Sequence, residues 1–183
     1  MRARTLLFVL LAAAAVACYL ILRTADRPAD MRKRIEVHKS ARELEFHDGR
    51  GGVRKFSAAL GFAPKGNKAV EGDGATPEGE YFVCVKNPKS AFFLSLGISY
   101  PGPQDADRGL AAGLITEAEH AEILKANAEH HPPPWKTALG GEVFIHGRGA
   151  QSDWTAGCVA VEDPDMAELY DLAEVGMPVI IRP

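Results

Sequence analysis

Cysteine is scarce in this chain: three residues among 183, at Cys18, Cys84 and Cys158. An odd number in three unrelated settings leaves no paired framework, so the sequence does not describe a disulfide-stapled fold. Charge of one sign is missing too. Twenty-one Lys and Arg stand against 24 Asp and Glu, a formal net charge of −3, with both signs scattered along the chain. That excludes the basic footprint by which nucleic acid is held. No repeat of solenoid period recurs, and no low-complexity block follows the N-terminal alanines. Metal-ligand spacing is absent as well. His130-His131 are adjacent and run into Pro132-Pro133-Pro134, so no metal is expected.

What is present begins with an apolar N-terminus. Met1-Arg2-Ala3-Arg4 is a short basic start, and residues 5–22 carry no charge. Such a stretch sits at the lower edge of a membrane-spanning helix and is long for a signal-peptide core. Ala15-Val16-Ala17 resembles a cleavage site, yet Tyr19-Leu20-Ile21-Leu22 carries the apolar run past it. Residues 1–23 therefore read as a signal anchor in preference to a cleaved signal peptide, with residues 5–22 in the membrane as an apolar helix. Residues 24–33, with Pro28 and mixed charges, read as a linker. Residues 34–183, with 46% hydrophobic content over the whole chain, suffice for one domain.

Strand signals dominate that domain. Ile35-Glu36-Val37-His38-Lys39 and Leu44-Glu45-Phe46-His47 alternate apolar and polar residues, and Asp48-Gly49 follows as a hairpin turn. Residues 81–85, 91–98, 142–145, 158–161 and 178–182 are further strand candidates. Two helices interrupt them. Thr116-Glu117-Ala118-Glu119 is a capping box that opens a helix to about His130, before the prolines. The second has Asp163 as its N-cap, Pro164 at its first position and Gly176 beyond its end, with Met166, Leu169, Tyr170 and Ala173 as an inward face. The fold class is mainly β (α+β), with two peripheral helices.

Chemistry concentrates between residues 143 and 158. Val143-Phe144-Ile145-His146-Gly147 ends a strand on an imidazole, and Thr155-Ala156-Gly157-Cys158 opens the next on a thiol. A cysteine attacks as thiolate, of which little exists at neutral pH without a base nearby. Two adjacent strand ends joined by the intervening loop bring His146 to Cys158. No Asp or Asn is fixed as the third group, so a backbone carbonyl near Gly147 is expected to orient the imidazole. Cys84 lies in a strand-like run and reads as a buried small hydrophobe. His38, His47 and His120 read as surface residues.

The surrounding elements are more specific than the pair. They are the run from Gly72-Asp73-Gly74 through Thr76-Pro77-Glu78-Gly79-Glu80-Tyr81, then Leu94-Ser95-Leu96-Gly97-Ile98-Ser99-Tyr100-Pro101, Ile145-His146-Gly147, Thr155-Ala156-Gly157-Cys158 and Gly176-Met177-Pro178-Val179-Ile180-Ile181. In this order, from Phe62 onward, the chain resembles the L,D-transpeptidase (YkuD-type) catalytic domain in its murein branch. The resemblance implies a β-sandwich or barrel with Cys158 as nucleophile and His146 as base. It places N–H groups at Gly157 and Cys158 as an oxyanion hole, beside the Gly147 carbonyl already expected to orient the imidazole. Arg148, Thr155, Tyr100 and Trp154 are expected to line a substrate groove. The family's histidine before the Gly-Cys pair and its polar residue two beyond are Ala156 and Ala160 here.

The implied reaction is a two-step acyl exchange on peptidoglycan stem peptides. Cys158 takes the acyl group of diaminopimelate, releases D-alanine, and passes the acyl group to an amine on another stem or a wall-anchored protein. Water as acceptor makes the enzyme an amidase or carboxypeptidase, and loss of turnover makes it a wall-binding module. The basic residues Arg23, Arg27, Arg32, Lys33 and Arg34 outnumber Arg2 and Arg4, which by count alone keeps the C-terminal part inside. Long domains translocate regardless of such flanks, and a wall substrate lies outside. A periplasmic domain, anchored in the bacterial inner membrane or secreted, is therefore expected.

Overall fold

The computed structural model describes residues 32–183; residues 1–31, with the apolar segment and nearly all of the linker, lie outside the described residues. β1 (Lys33–His38) and β2 (Glu43–Asp48) form the first hairpin, and β3 (Val53–Ser57) pairs antiparallel to β2. Alternation sends Ile35, Val37, Leu44 and Phe46 into the core, each 2% exposed or less. The Asp48 carboxylate accepts the N–H groups of Arg50 and Gly52 and closes the β2–β3 turn. β3 escapes a pattern-based reading because only Phe56 faces inward, leaving no alternation to detect.

β4 (Gly79–Ser90) and β5 (Phe93–Ile98) form a second, longer hairpin; β6 (Phe144–His146), β7 (Val159–Ala160) and β8 (Pro178–Arg182) complete the sheet. Its order is β3-β2-β1-β8-β4-β5-β6-β7, with β1–β8 and β6–β7 parallel. The sheet curls into a half-barrel. Beyond β3 the chain reaches across to the opposite edge, where Ala59 and Ala160 exchange N–H···O bonds of 2.8 and 2.9 Å. That seam brings the two edges of the curled sheet together beside the Thr155–Cys158 turn, since Gly61 also bridges to Thr155.

Three helices accompany the sheet among the described residues, one more than expected: α1 (Pro103–Ala111), α2 (Glu117–Ala128) and α3 (Asp163–Leu172). α1 is short and polar, and Gly102 stands at its N-cap, so it shows neither a capping side chain nor a readable apolar stripe. α2 starts on the expected box, with Glu119 N–H donating to Thr116 Oγ1 at 3.2 Å. Ala106, Ile115, Ile123 and Leu139 make a satellite core around α1 and α2. α3 turns Met166 and Leu169 onto the main core, with Ala173 just past its end and Tyr170 partly buried there; its N-cap is Glu162, one residue earlier than expected. Each such buried Leu, Ile or Met contributes about 1.5–3 kcal/mol against the entropy of ordering the chain. Among the described residues no helix is long and apolar enough to cross a membrane.

Candidate active site

Register builds the site. Across β5, β6 and β7, Leu96 pairs with Ile145 and Ile145 with Val159, and all three are buried in the core. Side chains one residue away face the opposite side. On that side lie Ser95 and His146, and one step along the strands Phe144 and Cys158. Together with the tip of the β4–β5 hairpin they line a cavity of about 270 Å³ that holds both Cys158 and His146. Gly97 lets Val85 and Phe144 pack close across β5, since a Cβ on it would stand 2.5 Å from Val85 Cγ1 and 2.9 Å from the Phe144 ring.

His146 is 3% exposed. Its Nδ1 lies 2.7 Å from the Gly147 carbonyl oxygen. A carbonyl only accepts, so Nδ1 carries the proton and Nε2 keeps its lone pair. Phe92 stacks on the ring at 4.7 Å and 27°, and Trp154 meets it edge-on at 5.5 Å. Burial under these rings lowers the His146 pKa below its ordinary 6.5, against a smaller upward pull from the Gly147 hydrogen bond. The imidazole is therefore neutral at pH 7.

Cys158 is half-buried and, like Cys84, a free thiol. Its Sγ accepts from Phe144 N–H at 3.4 Å and donates to the Glu142 carbonyl at 3.7 Å, with no direct hydrogen bond to His146. Burial, followed in the same direction by the Glu142 charge, pushes the thiol above its ordinary 9.0, while Phe144 N–H and Lys68 work against the rise. The resting pair is a neutral thiol beside a neutral imidazole. Cys84 is 6% exposed, donates to Gly97 O, and burial pushes it up to about 11, which makes it an inert core thiol.

The turn before Cys158 is held from three sides. Gly157 has φ +136, and a Cβ there would lie 2.8 Å from Ala75 O, so only glycine fits. Thr155 Oγ1 donates to Cys158 O at 2.7 Å and accepts from Gly157 N–H at 3.1 Å. Beneath it, Lys68 Nζ binds Asp73 Oδ1 at 2.8 Å and Val70 O at 3.0 Å. Burial works to raise the Asp73 pKa, but Lys68 and the N–H groups of Ala69, Val70 and Ala75 outweigh it and hold it at about 2.

The expected groove residues divide. Trp154 lies by the imidazole, its Nε1 donating to Gly149 O at 3.2 Å. Thr155 is buried and pins the turn rather than lining the cavity. Tyr100 is fully buried, its hydroxyl donating to Leu139 O at 2.9 Å on the α1 side of the fold; it is removed from the groove because its ring fills the core. Arg148 is exposed in a left-handed conformation, φ 78, with its N–H on Asp163, and lies outside the cavity lining. Gly157 N–H is already committed to Thr155. Three participants were missed by the sequence reading: Phe92, Glu142 and Lys68. Phe92 lay in an expected strand but occupies the hairpin tip, and no pattern announces a carbonyl or a buried lysine at a thiol. His38, His47 and His120 are half-buried, each facing a carboxylate. His130 packs on Phe82 instead of joining the site. Among the described residues no cluster of His, Cys, Asp and Glu is placed to hold a metal.

The sequence of residues 32–181 matches the L,D-transpeptidase (YkuD) catalytic domain. The chain belongs to that family. Curated proteins offer no match, whereas solved structures share the fold. The helical cell shape determining protein Pgp2 from Campylobacter jejuni superimposes with a TM-score of 0.56 at 16% identity, over 86% of this chain and 53% of that one. Bd1075 from Bdellovibrio bacteriovorus does so at 0.52 and 21% identity, over 82% of this chain and 48% of that one. The chain thus spans about half the length of these neighbours.

Proposed function

We propose that this protein is a cysteine-dependent peptidoglycan L,D-transpeptidase, and the observation that carries the reading is the convergence of Cys158 and Nδ1-protonated His146 on one cavity. Substrate binding turns the thiol from Glu142 O toward His146 Nε2, which takes its proton. The thiolate attacks the L-centre carbonyl of diaminopimelate in a tetrapeptide stem, and a C–S bond forms. The oxyanion takes its hydrogen bond from Cys158 N–H, because Thr155 occupies that of Gly157. The C–N bond breaks as the imidazolium gives its proton to the departing D-alanine amine. An incoming amine then attacks the thioester, loses its proton to His146, and expels the thiolate, leaving a cross-link. Neither step consumes ATP.

Trp154 and Phe92 exclude water from the imidazole in this scheme, while Gly147 O fixes its tautomer. The acceptor is the amine of a second stem or of a wall-anchored protein, and the domain faces the periplasm from an anchor at residues 5–22. Pgp2 is named for its role in helical cell shape; an enzyme of this kind acting on wall cross-links would bear on shape in the same way. Intact-mass analysis of the full chain with purified muropeptides tests the reading. Cross-linked product supports transfer to an amine, trimmed stems with a Cys158 adduct indicate water as acceptor, and retention without adduct indicates a binding module.

A further inference from the structure

Besides the imidazole, two charged side chains line the Cys158 cavity: Lys89 near the end of β4 and Glu142 just before β6. Among the described residues neither takes part in an ion pair, so both charges are open to a ligand in the cavity. Glu142 is also held at φ 53, a left-handed position that glycine would occupy without penalty. That backbone aims its carbonyl at the thiol, and the carboxylate on the same residue is near enough for its charge to act on that thiol.

Register orders the groups along the cavity. His146 pairs with Ser95, and Ser95 with Asn87, two residues short of Lys89. Cys158 precedes Val159, the partner of Ile145, and so sits level with Phe144. Glu142 therefore stands at one end, then the thiol, then the imidazole, then Lys89. The departing amine must receive its proton from His146, which places the released residue on the Lys89 side and the acyl residue on the Glu142 side.

We propose that Glu142 and Lys89 read the charges of the acyl donor: Glu142 holds an ammonium on the side chain of the acyl residue, and Lys89 holds the free carboxylate of the residue released. The donor class is a peptide carrying both charges around its scissile amide, and the inference rests on the acyl-transfer reading above. It also gives the substrate a part in activation. The Glu142 charge disfavours the thiolate, and an ammonium bound there offsets that effect.

The test uses the full chain and three synthetic tetrapeptide donors: one complete, one lacking the side-chain ammonium, and one ending in D-alaninamide. Release of the last residue gives kcat/KM, and intact mass gives the Cys158 adduct. The wild type should disfavour each incomplete donor by about 10-fold. E142Q should erase the first preference and keep the second, and K89M should do the reverse; E142D and K89R should restore the wild-type pattern. Equal kcat/KM for all three donors in the wild type, or unchanged preferences in E142Q and K89M, overturns the charge-reading role while leaving acyl transfer intact. Absence of a Cys158 adduct with any donor overturns the acyl-transfer reading and this inference with it.

Discussion

His146 shows how a single residue's surroundings set its chemistry. Phe92 and Trp154 bury the ring, so its pKa falls below 6.5 and the base stays unprotonated near neutrality. Activity should therefore decline only as pH drops through this lowered value. Phe92→Ala, by admitting water, should move the acid limb of kcat/KM up toward 6.5, and an unmoved limb would show that Phe92 does not cover the imidazole. The unfolded chain binds a proton at 6.5 that the folded one resists, so this residue's contribution to stability also shrinks as pH falls below 6.5. Thr155→Val would strip Gly157 N–H of its partner and leave Cys158 O with only the longer hydrogen bond from the Thr76 hydroxyl. Urea unfolding should report a loss of about 1–3 kcal/mol. Residue types made Cys158 and His146 legible in the sequence, because a strand end on each side of a short loop is an unusual place for a thiol and an imidazole. Glu142 and Phe92 were not legible: one acts through a carbonyl set by its φ, the other through a hairpin tip whose curl is a tertiary property.

At the scale of elements, the loop from Lys68 to Ala75 is the support under the nucleophile's turn. Asp73 gathers Lys68 and three backbone N–H groups. Its folded pKa of about 2 lies below the ordinary 3.8, so its stabilisation is present above 3.8 and is lost as pH falls through 2. Asp73→Asn leaves the buried Lys68 ammonium without its counter-ion and should cost about 3–5 kcal/mol in denaturant unfolding. A cost below about 1 kcal/mol would show that the loop is not under this load. Alternation exposed β1 and β2 in the sequence, and a capping box exposed α2. β3 and α1 stayed hidden because β3 buries only Phe56 and α1 is capped by the backbone of Gly102 and the Asp105 carboxylate rather than by an N-cap side chain.

The whole molecule closes through a short seam: two hydrogen bonds between Ala59 and Ala160, a bridge from Gly61 to Thr155, and Asp153, which accepts from Leu60 N–H and pairs with Arg42, tie the curled sheet's edges. The same seam sets the turn that carries Cys158. Ala59→Pro deletes the Ala59 N–H donor, and thermal unfolding should register about 1–3 kcal/mol of lost stability together with reduced thiol acylation. Unaltered acylation would detach the seam from the site. Such closure joins residues about a hundred positions apart, which is why local pattern supplied a list of strands but not their order. Intact mass of the full chain incubated with a diaminopimelate tetrapeptide stem decides whether Cys158 is the nucleophile. An acyl adduct on Cys158 with release of D-alanine is expected, abolished in Cys158→Ala. Product formation undiminished in Cys158→Ala would contradict that role.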